Sequence, residues 1–413
     1  MPSFLIYRLA GFFSAFPFFV IPSWKILYIN QIEKFNIPEN IIHPSYTFSL
    51  GIAAPINLSI CCIVFGLLVL KKKLEVRINI YQFSILIFSS VYFLLTSQSI
   101  KSLGFLFSLV LSFFLIHFTR VPEGRAFINY HIQGLCFFII AHALSLSLDG
   151  QEFSKHTEGI SIFGLEIYQA LVSYPAVIAA FFGFIIVSPA SFLGFFKIKN
   201  NRYLNYLFLI IFLFILLYVA TFLSRRASFV VIGFSLFIYV FGRSIDLIGK
   251  WKSFFSAIII LLVFFILIRT FLFSGIKAFD FQNMVLPRLN LYVKVLNDIF
   301  SSNPWYWFWG HEEGWATHHN TFIDIIAHSG FIGLFLFLLC LISIGYSYRQ
   351  FIKGLMYKGV ELNSVIMLLI FCLIFDNFIN CAFSTPYYSV SIFIIFLGFL
   401  LSYDERTSSD KWN

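Results

Sequence analysis

Charge is scarce in this sequence. Asp, Glu, Lys and Arg make up 11% of it, whereas soluble globular domains carry roughly a quarter. Together with a mean hydropathy of +0.89, that poverty excludes an ordinary soluble enzyme. The net charge of +9 does not restore a nucleic-acid binder, because the basic residues fall in short loops between apolar runs, as cytoplasmic anchors do. No nucleic-acid partner is expected. Cysteine is sparse as well. Cys61, Cys62, Cys136, Cys340, Cys372 and Cys381 sit inside apolar runs without CxxC spacing, so they read as small buried hydrophobes. No small-residue cleavage site follows the first apolar run, which reads as a membrane helix and not as a leader. The chain also lacks an acidic DxD pair, a phosphate-binding Walker loop and a dinucleotide glycine pattern, so a nucleotide sugar is not the expected donor.

What is there instead is apolar and aromatic: 60% hydrophobic residues, 21% aromatic and 58 phenylalanines. Runs long enough to cross a hydrocarbon layer of roughly 30 Å recur from end to end. They fall at about 4–22, 48–70, 80–97, 103–119, 127–147, 168–190, 203–223, 227–242, 253–273, 320–343, 363–383 and 385–402. The expectation is an all-α polytopic membrane protein of about twelve transmembrane helices, one domain over 1–413. Lys71 to Lys73 and Arg77, Arg120 and Arg125, Lys197 to Arg202, Arg243 to Lys252, and Arg349 to Lys358 then share one side, the cytoplasmic one, with both termini. Segments 23–47, 148–167 and 274–319 face outward. The last is the longest. Its middle, Arg288 to Phe300, has the apolar spacing of a short amphipathic helix, and the following NPWYWFWG is turn-forming at its ends and suits a membrane interface.

Two features break membrane rules. Arg225 and Arg226 lie in an outward turn, where basic residues are disfavoured, Arg269 lies near the outer end of the ninth span, and Arg288 opens the amphipathic stretch. Four guanidinium groups near one interface suit a diphosphate, since each is planar, permanently charged and bidentate. The competing use is structural: Arg225 or Arg226 snorkels to headgroups, and Arg269 pairs with Asp376 or Asp280.

The second feature is HHNTFIDIIAHSGFIG at the start of the tenth span. His319 is expected in the first turn, where the positive end of the helix dipole disfavours imidazolium and leaves a ring able to accept a proton. A capping or interfacial role is the plainer alternative. Asp324 and His328 share a face at i and i+4. Gly330 and Gly333, one turn apart, admit a close helix neighbour. His311, Glu312, Glu313 and His318 are further polar groups of the same loop, and His311-x6-His318-His319 has no familiar metal-ligand spacing, so no metal is assigned.

These residues resemble the O-antigen ligase and O-antigen polymerase superfamily. Its hallmark is His followed by Asn, Ser or Gln, nine residues, and GxxG; His319-Asn320, nine residues, and Gly330-Phe331-Ile332-Gly333 fit without a gap. Ser224-Arg225 matches the family's Ser-Arg-Gly turn, with Arg226 where Gly is usual, and Arg288, Asn303-Pro304 and Gly310 match its Arg to Asn-Pro to Gly stretch. The resemblance implies a GT-C type glycosyltransferase fold with a long periplasmic loop between helices 9 and 10. It also implies an undecaprenyl-diphosphate-linked glycan donor and metal-independent transfer with inversion, without a cofactor. On this chain Arg225 and Arg288, joined by Arg226 and Arg269, would hold the diphosphate, and His319 would bind or activate the acceptor hydroxyl. Asn320, His318, Glu312 and Trp305 would contact sugar, the Trp equally serving as an interface anchor.

The expected function is a surface-polysaccharide polymerase of the bacterial inner membrane with its site facing the periplasm. It would act on lipid-linked repeat units among membrane lipid, with a chain-length regulator as a protein partner. A ligase passing polymer to lipid A core uses the same chemistry on another acceptor. A flippase for the lipid-linked unit is the reading from a different class; it fits the helix count but not the long polar outer loop.

Overall fold

Apolar runs with few charges become helices because only a helix satisfies every backbone N–H and C=O internally in lipid. The computed structural model describes residues 2–15, 59–71, 79–97, 100–148, 154–156, 159–162, 165–168, 173–196, 202–222, 226–267, 281–301, 303–310, 320–355, 360–379 and 386–409. The described helices are α1 (Pro2–Ser14), α2 (Ser59–Leu70), α3 (Ile80–Ser97), α4 (Ile100–Phe118), α5 (Pro122–Leu148), α6 (Ser173–Val187) and α7 (Pro189–Gly194). They continue with α8 (Arg202–Phe222), α9 (Arg226–Ile248), α10 (Lys250–Leu267), α11 (Phe281–Ser301), α12 (Pro304–Trp309), α13 (Thr321–Lys353), α14 (Val360–Ile379) and α15 (Pro386–Ser409).

Among the described residues, Val230–Ile248, Lys250–Leu267 and Thr321–Lys353 are long and apolar enough to cross a membrane, and shorter helices such as Ile80–Thr96 and Val390–Ser402 are apolar too. Their outward faces are also apolar. Tyr203, Leu204, Leu207, Ile211 and Phe214 of α8 are all exposed, a surface that belongs against lipid and not water. The chain is thus a helical membrane protein.

α15 lies at the centre. Every residue from Val390 to Ser402 is buried, and the helix meets α4, α5, α6, α7 and α14. α1 packs on α5 at closest range, with Gly11 against the Phe127 backbone and Gly134 against that of Phe12. Bare backbone is what lets membrane helices approach so nearly, since lipid tails compete equally for apolar contact. Ser14 Oγ and His131 Nδ1, 2.6 Å apart, close that contact. Elsewhere single polar bonds fix one helix against another: Ser402 Oγ donates to Ser191 O at 2.7 Å and Tyr348 OH to Ser112 O at 3.0 Å. Ser188 Oγ also donates to Glu361.

Several boundaries differ from those expected. The run 168–190 is not one helix: Tyr168 closes a strand, α6 ends at Val187, and Pro189, which has no N–H to donate, begins α7. α9 runs past Arg243 to Ile248 and stops at Gly249, whose φ is +82°. α13 continues ten residues past 343 to Lys353, because polar residues end the apolar layer without ending the helix. Cys61 is buried but Cys62 is exposed, since neighbours on a helix point about 100° apart.

The segment after α5 carries a small antiparallel meander, β1 (Ser154–His156), β2 (Gly159–Ile162) and β3 (Leu165–Tyr168). Ser154 pairs with Ser161, and Gly159 with Tyr168. Its sequence, short alternating stretches around Gly159 and Gly164, is strand-like and too brief for a span.

Candidate functional site

Asn320 organises the start of α13. Its Oδ1 accepts from Phe322 N at 2.9 Å and Ile323 N at 3.2 Å, and its carbonyl accepts from Asp324 N at 2.9 Å. The residue is an N-cap with extended backbone. The cap takes Oδ1 alone; the amide nitrogen has no part in it. Asp324 lies in the first turn, where the dipole favours a carboxylate, and it and His328 are both buried on one flank of the helix. Thr321 is wholly buried beside the cap, and its Oγ1 has no hydrogen-bond partner among the described residues.

Replacing Asn320 by Ala removes a cap that contributes about 1 kcal/mol, so the melting temperature in detergent should fall by a few degrees. Asn320→Ser restores the cap but not the amide. Recovery of both melting and activity in the serine variant marks Asn320 as a cap alone; recovery of melting without activity marks it as a contact to substrate.

The second half of the site is α12. Asn303 caps it by accepting from Trp305 N at 3.2 Å, Pro304 opens it, and Gly310 ends it with N–H bonded to Tyr306 O at 2.9 Å. The turn-forming ends expected of NPWYWFWG are thus the two ends of a six-residue helix. α12 lies against α13 where α13 breaks. Gly330 has φ 63° and ψ −168°, a conformation essentially restricted to glycine, and Gly310 has φ 83° and ψ 175°, in the same region. A Cβ on Gly330 would strike the Phe308 carbonyl, and one on Gly310 would strike the His328 carbonyl. The two breaks interlock.

Gly330 therefore extends the expectation drawn from GxxG. The close neighbour exists, but it is the backbone of α12, and Gly330 is needed for its conformation as much as for its size. Gly333 is helical and faces Phe93 of α3, with the Phe93 ring 3.5 Å from where a Cβ would sit.

Tyr92 of α3 holds the junction. Its hydroxyl shares one proton between Ser329 O at 2.8 Å and Phe308 O at 3.1 Å, and its ring lies 5.8 Å from that of Trp309. Thr96 Oγ1, 2.9 Å from Ser329 Oγ, adds a second tie. A kink releases carbonyls from the helical ladder, and partners such as these are what make it tolerable in a dry environment. Neither residue was singled out by sequence. The available signal was faint: Gln82, Ser89 and Thr96 are polar positions seven apart on an apolar span, which marks one face. Gln82 Nε2 does reach Ser347 Oγ on α13 at 3.2 Å, on that same face.

Of the other expected site residues, Trp305 is 68% exposed on α12. Arg226 is the first residue of α9 and Arg288 lies within α11, which begins at Phe281 and so runs through Pro287 where the sequence suggested a start at Arg288. Arg225, Arg269, Asp280, His311, Glu312, Glu313, Trp315, His318 and His319 lie outside the described residues. Comparison of the chain with protein-family models, with curated proteins and with solved structures yields no match.

Proposed function

We propose that the chain is a surface-polysaccharide polymerase of about twelve membrane helices. In this reading it transfers a glycan from undecaprenyl diphosphate to a sugar hydroxyl of a second lipid-linked repeat unit at the periplasmic face of a bacterial inner membrane. One observation carries the reading. Two sequence elements that the family resemblance supplies separately, Asn303-Pro304 to Gly310 and His319-Asn320 to Gly330, meet at the interlocked breaks of α12 and α13. A chance match to spaced residues gives no reason for the two glycines to share one conformation and one contact.

The chemistry divides between two kinds of side chain. The glycosidic bond from the anomeric carbon to the diphosphate breaks, a bond from that carbon to the acceptor oxygen forms on the opposite face, and the acceptor proton leaves. Arg225 and Arg288, with Arg226 and Arg269, neutralise charge developing on the diphosphate. His319 orients the acceptor hydroxyl and takes its proton. Both basic loops and termini lie on the cytoplasmic side in this topology, which leaves His319 and Arg288 on the other.

Deleting the gene and resolving the lipopolysaccharide on a gel tests this directly. Loss of a polymerase leaves core bearing one repeat unit. Bare core with accumulated lipid-linked polymer would assign the ligase acceptor instead, and an unchanged ladder, or repeat units retained on the cytoplasmic face, would remove the transferase reading.

A further inference from the structure

The geometry points to α11 as a lipid-embedded interfacial helix, lying where the bilayer surface meets α13 with one face sunk among acyl chains. This assignment goes beyond the transferase reading and does not depend on it.

The 33 residues of α13 amount to about 50 Å of helical contour in two segments that meet at the Gly330 break, against a hydrocarbon layer of roughly 30 Å. Its surface says where the excess lies. From Thr321 to Gly330 no side chain is exposed; exposed apolar residues begin at Phe331 and recur at Phe335, Leu338, Ile342 and Tyr346, after which come exposed Arg349 and Lys353. Phe331 to Arg349 covers about 27 Å at the helical rise, one hydrocarbon thickness. The first turns of α13 are therefore enclosed by protein, and its lipid-facing row begins at the Gly330 break.

α11 packs at that level. Ile299 forms a small core with Ile326 and Ala327, joined by Val295, Leu296, Trp307 and Leu334. At 100° per residue, the rest of its described surface divides into two. Leu289, Val293 and Phe300 fall within about 40° of arc, and all are exposed, Val293 at 53%. Asn290, Lys294, Asn297, Asp298 and Ser301 occupy the next 100° or so, also exposed. Leu291 lies at the far edge of that polar face. A helix buried on one side, polar on a second and bare of polar atoms on a third suits three surroundings: protein, water and lipid.

Continuity selects lipid for the third. The Phe300 ring lies 6.1 Å from that of Phe331, the first residue of the exposed apolar row on α13. The stripe on α11 thus extends the lipid-facing surface of a membrane-crossing helix without a break. Phe308 and Trp309 of α12, half exposed beside it, are aromatics of the kind that sit at headgroup level.

The test uses the full chain in liposomes of phosphatidylethanolamine and phosphatidylglycerol, with p-benzoylphenylalanine placed singly at 293 or 300, at 294 or 298, and at 335 as the acyl-facing reference. After irradiation, variants 293 and 300 should carry phospholipid adducts at a yield within about twofold of 335, and at least fivefold above 294 and 298. Labelling at 335 but not at 293 and 300, equal labelling on both faces of α11, or a cross-linked second copy of the chain from 293 would each overturn the assignment.

Discussion

A Gly330→Ala chain should reach the membrane at reduced abundance and melt far below its parent. The substituted residue meets two costs. A side chain at φ 63°, ψ −168° is strained by about 1–3 kcal/mol. Its Cβ would also overlap the Phe308 carbonyl and lie 2.7 Å from Trp309 N, so α12 has to withdraw. Withdrawal removes the Phe308 O acceptor from Tyr92, another 1 kcal/mol or so. The sum, about 2–4 kcal/mol, is a large share of the 5–15 kcal/mol typical of a folded protein. Differential scanning fluorimetry in detergent reads it. Gly345→Ala, on the same helix with nothing within 4 Å of the added carbon, should be neutral or slightly stabilising, because helical glycine is the poorer residue there. Gly333→Ala should fall between them, its new methyl facing Ser329 and the Phe93 ring. Equal melting of the 330 and 345 variants would mean that α13 does not break where described.

The sequence made the apolar layer legible and left the junction obscure, for one physical reason. Hydropathy reports what a residue does in lipid, so the run 80–97 coincides with α3 at both ends. It is silent about where a helix stops outside lipid, and α13 accordingly outruns its apolar core by ten residues. Proline and glycine carried the missing information. Pro189 divides the sixth run, and Gly249 stops α9, each by a local backbone rule readable in advance. α11 begins ahead of the expected Arg288, at Phe281, and continues through Pro287; nothing in the structure explains the tolerance of Pro287 there.

At the site, spacing identified Asn320, Gly330 and Gly310 as positions of interest but did not show the backbone work that they do. Asn320 caps α13 through Oδ1, and Gly330, besides admitting α12 at close range, breaks α13. The residues that hold the break, Tyr92 and Thr96, come from a helix more than 200 positions away and contribute through hydroxyls that are unremarkable in an aromatic span. Long-range hydrogen bonds to backbone carbonyls leave almost no trace in a single sequence, because any acceptor will serve.

The same separation of scaffold from chemistry shapes the second large effect. Arg288→Ala and His319→Ala should each abolish long-chain polysaccharide while membrane abundance, read by immunoblot, stays at the parental level. Removing one donor from a developing anion typically costs 10²–10³ in rate, and removing a general base about 10²–10⁴. Either loss would shorten the polymer sharply, since every added unit passes through the slowed step. Arg288→Lys keeps the charge but not the planar fork, so it should restore short chains only. Gly330→Ala offers the contrast: it too should lose polymer, but together with the protein. A full ladder from Arg288→Ala or His319→Ala would dismiss the assigned chemistry. Loss of polymer accompanied by loss of protein would place those residues with the scaffold.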